Sequence, residues 1–141
     1  MWWLYFGTSS ADGSHVIAHS KDPGRIGAYF HYVHVLIIAG IIVSAVGNEL
    51  VIAHPHGHLE LPEIIVMAGA PIAYLLGNGL YKRVVYGRFP PSHLLGVLAA
   101  CVLGALGASL DLLTTNILTT VLIACVASWD SARLRSARAA A

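Results

Sequence analysis

Four apolar segments, each about as long as a bilayer is thick, leave this sequence few folds to choose from. They run over about 27–52, 62–82, 91–110 and 112–129. A hydrocarbon core roughly 30 Å thick takes about 20 helical residues to cross. Inside it, every backbone N–H and C=O has to find its partner within the segment, which selects helices. The predicted fold is therefore all-α, a polytopic transmembrane helical bundle with four spans. Composition agrees: only 11% of the residues are charged and 57% are hydrophobic. A soluble domain carries about 25% charged residues, so this chain has too few to coat a soluble surface. Pro62 and Pro91 stand at helix starts, where a missing N–H costs nothing.

Charge then orients the bundle. Lys21 and Arg25 precede the first span, Lys82, Arg83 and Arg88 fall between the second and third, and Arg133, Arg135 and Arg138 follow the fourth. With four spans, all eight basic residues lie on one side and the loops "HPHGHLELP" and "SLDLLTTN" contain none. The positive-inside rule predicts a cell (cytoplasmic) membrane protein with both termini cytoplasmic. A net charge of +1 gives no reason to expect a nucleic-acid partner. The expected partners are the lipid bilayer and further transmembrane helices or a homo-oligomer.

Residues 1–24 read as the end of a truncated helix plus a cytoplasmic connection, 25–130 as the four-helix membrane domain, and 131–141 as a frayed basic cytoplasmic tail. The aromatics of "MWWLYF" suit the headgroup level. His15 and His19 stand four apart in a loop rich in Gly and Ser. Cys101 and Cys125 lie in apolar segments without a CxxC pattern and read as small buried hydrophobes, with no disulfide or zinc framework. No serine–histidine or cysteine–histidine pairing suggests a nucleophilic enzyme. Neither an enzymatic activity nor a cofactor is predicted.

Polar residues inside the spans are the candidate functional groups. His31 and Glu49 are 18 residues apart, five whole helical turns, and share a face over about 27 Å. His34 and Asn48 flank that face and Ser44 lies near its edge. The second span repeats the pattern in reverse: Glu63 and Tyr81 are also 18 apart, with Met67, Pro71, Tyr74 and Asn78 between them. Packed antiparallel, the two spans would bring Glu49 level with Glu63, and His31 and His34 level with Asn78 and Tyr81. Ionisable groups inside a span usually face a bundle interior or a wet cavity. One reading is a polar pathway of His31, His34, Asn48, Glu49, Glu63, Tyr74, Asn78 and Tyr81. The other is interfacial decoration with interhelical hydrogen bonds, about 0.6 kcal/mol each.

Small residues recur every four positions at Gly69, Ala73 and Gly77, and again at Gly96, Ala100, Gly104 and Ala108, as close-packed membrane helices require. Pro71 interrupts the second span. Asp111 stands where it can cap the fourth helix. In the outer loop His54, His56 and His58 alternate, so an extended chain would turn three imidazoles toward a zinc, copper or nickel ion. Pro55 and Gly57 equally make an ordinary turn.

"WWLYF", then "YFHYVHVLIIAGIIVSAVGNELVIAHP", then "GAPIAYLLGNGLYKRVVYGR" resembles the C-terminal part of the low temperature requirement A (LtrA) family. The likeness rests on His31, His34, Gly40, Ala45, Gly47, Glu49, His54 and Pro55, then on Tyr74, Leu75, Gly77 and Arg83. It implies a bacterial multi-pass membrane protein linked to growth at low temperature, with several more helices upstream. It assigns no chemistry. The leading functional expectation is a transport or permeation module for a proton, ion or small polar solute. Alternatives are a structural or assembly subunit of a larger membrane complex, and a haem-binding redox subunit with His31 and His93 as axial ligands.

Overall fold

The computed structural model describes Met1, Leu4, Gly13 and residues 16–139, with side chains given for all of these except 134 and 137–139. The expectations for Trp2, Trp3, Tyr5, Phe6 and His15 lie outside the described residues. Among the described residues four long helices follow in order: α1 (Pro23–Ala53), α2 (Leu61–Tyr86), α3 (Pro91–Leu106, continued by a 3-10 turn at Gly107–Ser109) and α4 (Leu112–Ala139). All four are long and apolar enough to cross a membrane. The fold is all-α and the protein is a multi-pass membrane protein.

Local chemistry sets the helix ends. The Asp22 carboxylate accepts the Arg25 N–H at 3.0 Å and Pro23 opens α1. Glu60 and Glu63 form a capping box at the start of α2. Gly87, at φ 71, ends α2 in the left-handed region and turns the chain toward Pro90 and Pro91. Asp111 caps α4 as its position suggests, accepting the Thr114 N–H at 2.9 Å. The stretch 131–139 continues α4 as helix. "SARLRSARA" is rich in Ala, Leu and Arg, the strongest helix formers.

The surface is apolar, inverted from that of a soluble protein as suits a lipid solvent, and the interior adds small and polar groups to an apolar core that includes Phe30, Ile37 and Leu75. Val35, Ile38, Ile42, Leu98, Val102 and Val121 are all exposed, while Gly40, Gly47, Gly77, Asn78 and Thr119 are buried. The two cysteines follow this inversion: Cys101 and Cys125 are exposed, not buried. An apolar span in lipid carries its hydrophobes outward as well as inward, so apolar surroundings in sequence do not imply burial.

The closest packing joins α1 and α2. Phe30, Val33, Ile37, Gly40, Gly47 and Val51 are buried and Ser44 is half-buried. This is a seam with alternating steps of three and four, the geometry of an interdigitated helix pair. A Cβ on Gly40 would stand 2.7 Å from the Tyr74 backbone nitrogen, and one on Gly77 would stand 2.6 Å from Ile37 Cγ1. The two backbones therefore touch where their glycines lie, antiparallel. On α3, Gly96 closes against Leu75 and Val126, and Gly104 against Ala68. Gly69 has nothing within 4 Å, so it is not part of the packing ridge.

Candidate functional site

Along α2, one buried face carries a graded series of polar groups. Met67 and Pro71 come first, Tyr74 and Asn78 follow, and Tyr81 and Lys82 close the series. Steps of three and four keep these residues on one side of the helix. From Pro71 to Lys82 the series covers about 16 Å. At its upper end lies a cavity of about 140 Å³ between α1, α2 and α4. Ser44, Asn48, Asn116, Thr119 and Thr120 give it polar walls, with Met67 and Pro71 on the α2 side. Asn116 donates to Asn48 Oδ1 at 3.1 Å, across from one helix to another.

Below this cavity the Tyr74 hydroxyl donates to the Met1 carbonyl, and Asn78 donates its amide to the Tyr74 carbonyl at 2.9 Å. Tyr81 packs edge-on against Phe30, centroids 5.0 Å apart, and against His34 at 5.5 Å. His34 Nδ1 lies 2.6 Å from the Phe30 carbonyl.

At the end that carries the α2–α3 loop, Lys82 forms an ion pair with Asp130 of α4. Lys82 is 2% exposed and Asp130 7%, so neither charge reaches bulk solvent. His93 of α3, 0% exposed, feels both charges. Its Nδ1 meets the Ser92 hydroxyl at 3.2 Å. Its Nε2 is buried without a hydrogen-bond partner among the described residues. A buried polar atom left unpaired costs about 1–3 kcal/mol and needs an explanation. A cavity of about 250 Å³ adjoins the ion pair, lined by Lys82, Tyr86, Arg88, Phe89, Asp130 and Arg133 among others.

The sequence-predicted residues divide between inside and outside. Tyr74, Asn78 and Tyr81 are buried, and His34 and Glu63 are half-buried. His31, Asn48 and Glu49 are exposed. His31 and Glu49 do share a face, but it lies roughly 160° around α1 from the glycine seam at 3.6 residues per turn. Glu63 turns back to accept the Glu60 N–H at 3.1 Å, closing the capping box. His31 is exposed and His93 fully buried, so the two rings occupy different surfaces.

The histidine loop docks onto the start of α4. Leu112 and Leu113 N–H groups donate to the Gly57 and Pro55 carbonyls at 3.2 and 3.0 Å. His56 pairs with Asp111 at 3.2 Å, while His54 and His58 are exposed. Among the described residues no three metal-ligating side chains converge. The Asp111 carboxyl is held down from 3.8 to about 2, first by hydrogen bonds from Thr114 and then by His56.

Lys82, Asp130, Ser92 and Asn116 are the polar groups that sequence reasoning did not place in the site. Lys82 reads as one more positive-inside charge, and Asp130 falls one residue past the predicted fourth span. One signal does mark them. Lys82 follows Tyr74 and Asn78 at steps of four, and Asp130 is the one acid that follows Asp111, just ahead of Arg133, Arg135 and Arg138.

No solved structure matches the chain. An uncharacterized protein of Rhizobium meliloti is 30% identical over 142 residues, covering 100% of this chain and 35% of that protein. The chain thus spans about a third of the length of the curated relative it matches. Residues 1–128 match the bacterial low temperature requirement A protein (LtrA). With that match running over nearly its whole length, the chain belongs to the LtrA family.

Proposed function

We propose that this chain is a transport or permeation module of the bacterial cytoplasmic membrane, moving a proton, ion or small polar solute along the polar face of α2. The observation that carries this reading is the buried Lys82–Asp130 pair beside an imidazole with a bare Nε2. Charges inside a membrane bundle are expensive and mark ion pathways and proton relays. The bare Nε2 of His93 is free to take part in a hydrogen bond with a passing solute or water. In this reading the cavity at Asn48 and Asn116 is the outer vestibule, and Tyr74, Asn78, Tyr81 and His34 line the route inward. The basic end faces the cytoplasm, as the positive-inside rule requires. The outward His31–Glu49 face of α1 is covered in the membrane by further helices, of this or another chain.

The test is flux. The purified protein is reconstituted in vesicles loaded with a pH-sensitive dye, and decay of an imposed pH gradient is followed. Asp130→Asn and His93→Gln are expected to slow the decay at least tenfold, and His34→Leu to remove its pH dependence. Decay at the wild-type rate in all three variants would overturn the pathway.

A further inference from the structure

The cavity at the basic end has a charge pattern that the Lys82–Asp130 pair does not use up. Among the described residues Asp130 is the only carboxylate that lines it, and it is committed to Lys82. Arg88 and Arg133 line the same cavity, and neither is paired with a carboxylate among the described residues. Two net positive charges therefore face a space of about 250 Å³. That is several times the roughly 30 Å³ that one water occupies in the liquid. The start of α3, through Pro90 and Pro91, opens onto it as well. A helix start carries partial positive charge, which adds to the attraction for an anion.

The cavity lining also includes apolar and stiff residues. Phe89 lies with its ring against Gly79, so closely that a Cβ there would overlap it. This contact pins the loop after Gly87 and fixes where Arg88 leaves the chain. Tyr86, Phe89 and the two prolines line the cavity together with Arg88 and Arg133. Guanidinium is the side chain whose fork of donors matches the oxygens of a phosphate group. At a membrane surface this combination suits a phosphate carrying an apolar or glycerol substituent.

We infer that this cavity is a phosphate-type anion site, held by Arg88 and Arg133 and floored by the Lys82–Asp130 pair. The phosphate group comes either from an anionic phospholipid headgroup or from a free oxyanion in the cytoplasm. Basic pockets between transmembrane helices at that surface do hold headgroups of this kind. The site does not depend on the transport reading, since a bound headgroup would anchor the ends of α2, α3 and α4 with or without a flux.

Binding separates the sources. Native mass spectrometry of the purified protein measures retention of phosphatidylglycerol against phosphatidylcholine, and calorimetric titration in phosphatidylcholine nanodiscs measures inorganic phosphate. Loss of two arginine contacts in R88A/R133A is expected to weaken binding about thirtyfold. R83A/R135A removes the same charge from exposed positions that do not line the cavity, and is expected to leave binding unchanged. Selective retention of phosphatidylglycerol supports a headgroup site, and phosphate binding alone supports a soluble oxyanion. If neither probe binds, or if both double variants weaken it equally, the inference is overturned. Should R88A/R133A lose helicity, R88Q/R133Q keeps the side-chain stems and the same comparison decides.

Discussion

Replacing Lys82 by methionine removes one half of a buried ion pair and leaves Asp130 without its counter-charge. Asp130 is 7% exposed, and Lys82 is its ion-pair partner. At an effective dielectric of about 20, two unit charges some 4 Å apart attract by about 4 kcal/mol. Stranding one of them in a buried site costs about 3–5 kcal/mol, because lost attraction is not replaced by hydration. Asp130→Leu is expected to cost a similar amount by stranding Lys82. The double variant is the informative one. With Lys82→Met and Asp130→Leu together, no charge is buried and two apolar side chains of similar length meet between α2 and α4. Its stability is expected within about 1 kcal/mol of wild type or above it. The assay is reversible unfolding in detergent micelles, followed by helicity, with the four proteins forming a double-mutant cycle. A coupling energy of about 3 kcal/mol or more confirms a dry, mutually dependent pair. Singles that cost under 1 kcal/mol would mean that water reaches these groups. A double variant as damaged as the singles would mean that the pair acts through something other than its charge.

Two further outcomes follow from the geometry. Gly40→Ala places a methyl 2.7 Å from the Tyr74 backbone and is expected to cost about 1–3 kcal/mol, whereas Gly69→Ala enters open space and gains up to about 1 kcal/mol of helix propensity; micelle unfolding that ranks them the other way refutes the seam. The Asp111 carboxyl is lower in the folded protein than its ordinary 3.8, at about 2. Its cap is therefore fully present above pH 4 and lost as pH falls through 2. Hydrogen exchange at the first amides of α4 should lose protection over that window, and Asp111→Asn should abolish the dependence.

What could be read ahead of the structure was whatever depends on one helix at a time. Span positions follow from apolar length, and the helix starts at Pro62, Pro91 and Asp111 follow from local chemistry, whereas the caps at Asp22, Glu60 and Gly87 emerged with the structure. Antiparallel packing of α1 and α2 entered the sequence reading only as a condition on the polar stripes, and the contacts of Gly40 with Tyr74 and of Gly77 with Ile37 set the register. The facing of a stripe was not legible. His31 and Glu49 share a face by simple periodicity, but periodicity does not say which face meets the neighbour. Gly40 and Gly47 decide that, since the backbones approach only where side chains are absent, and they lie on the far side of α1 from the two ionisable groups. Lys82 was misjudged for a related reason. A lysine at a span's end satisfies the positive-inside rule wherever it points, and only the partner helix shows that it points inward.

The same two glycine contacts link packing to chemistry. When α1 and α2 close at Gly40 and Gly77, the residues one step along α2, Tyr74 and Asn78, are forced into the interior with their polar atoms. Each finds a partner, Tyr74 at the Met1 carbonyl and Asn78 at the Tyr74 carbonyl, and the same face ends at the charge of Lys82. Asp130 supplies that end by reaching across from α4 to Lys82. A bundle built only for stability would fill this face with leucine and isoleucine, since a well-packed apolar contact equals or exceeds a buried ion pair in stability. Polar groups thus occupy the helix face where they contribute least to holding the fold together. That placement is what the proposed pathway rests on: burying a polar series here contributes little to stability that apolar packing would not supply.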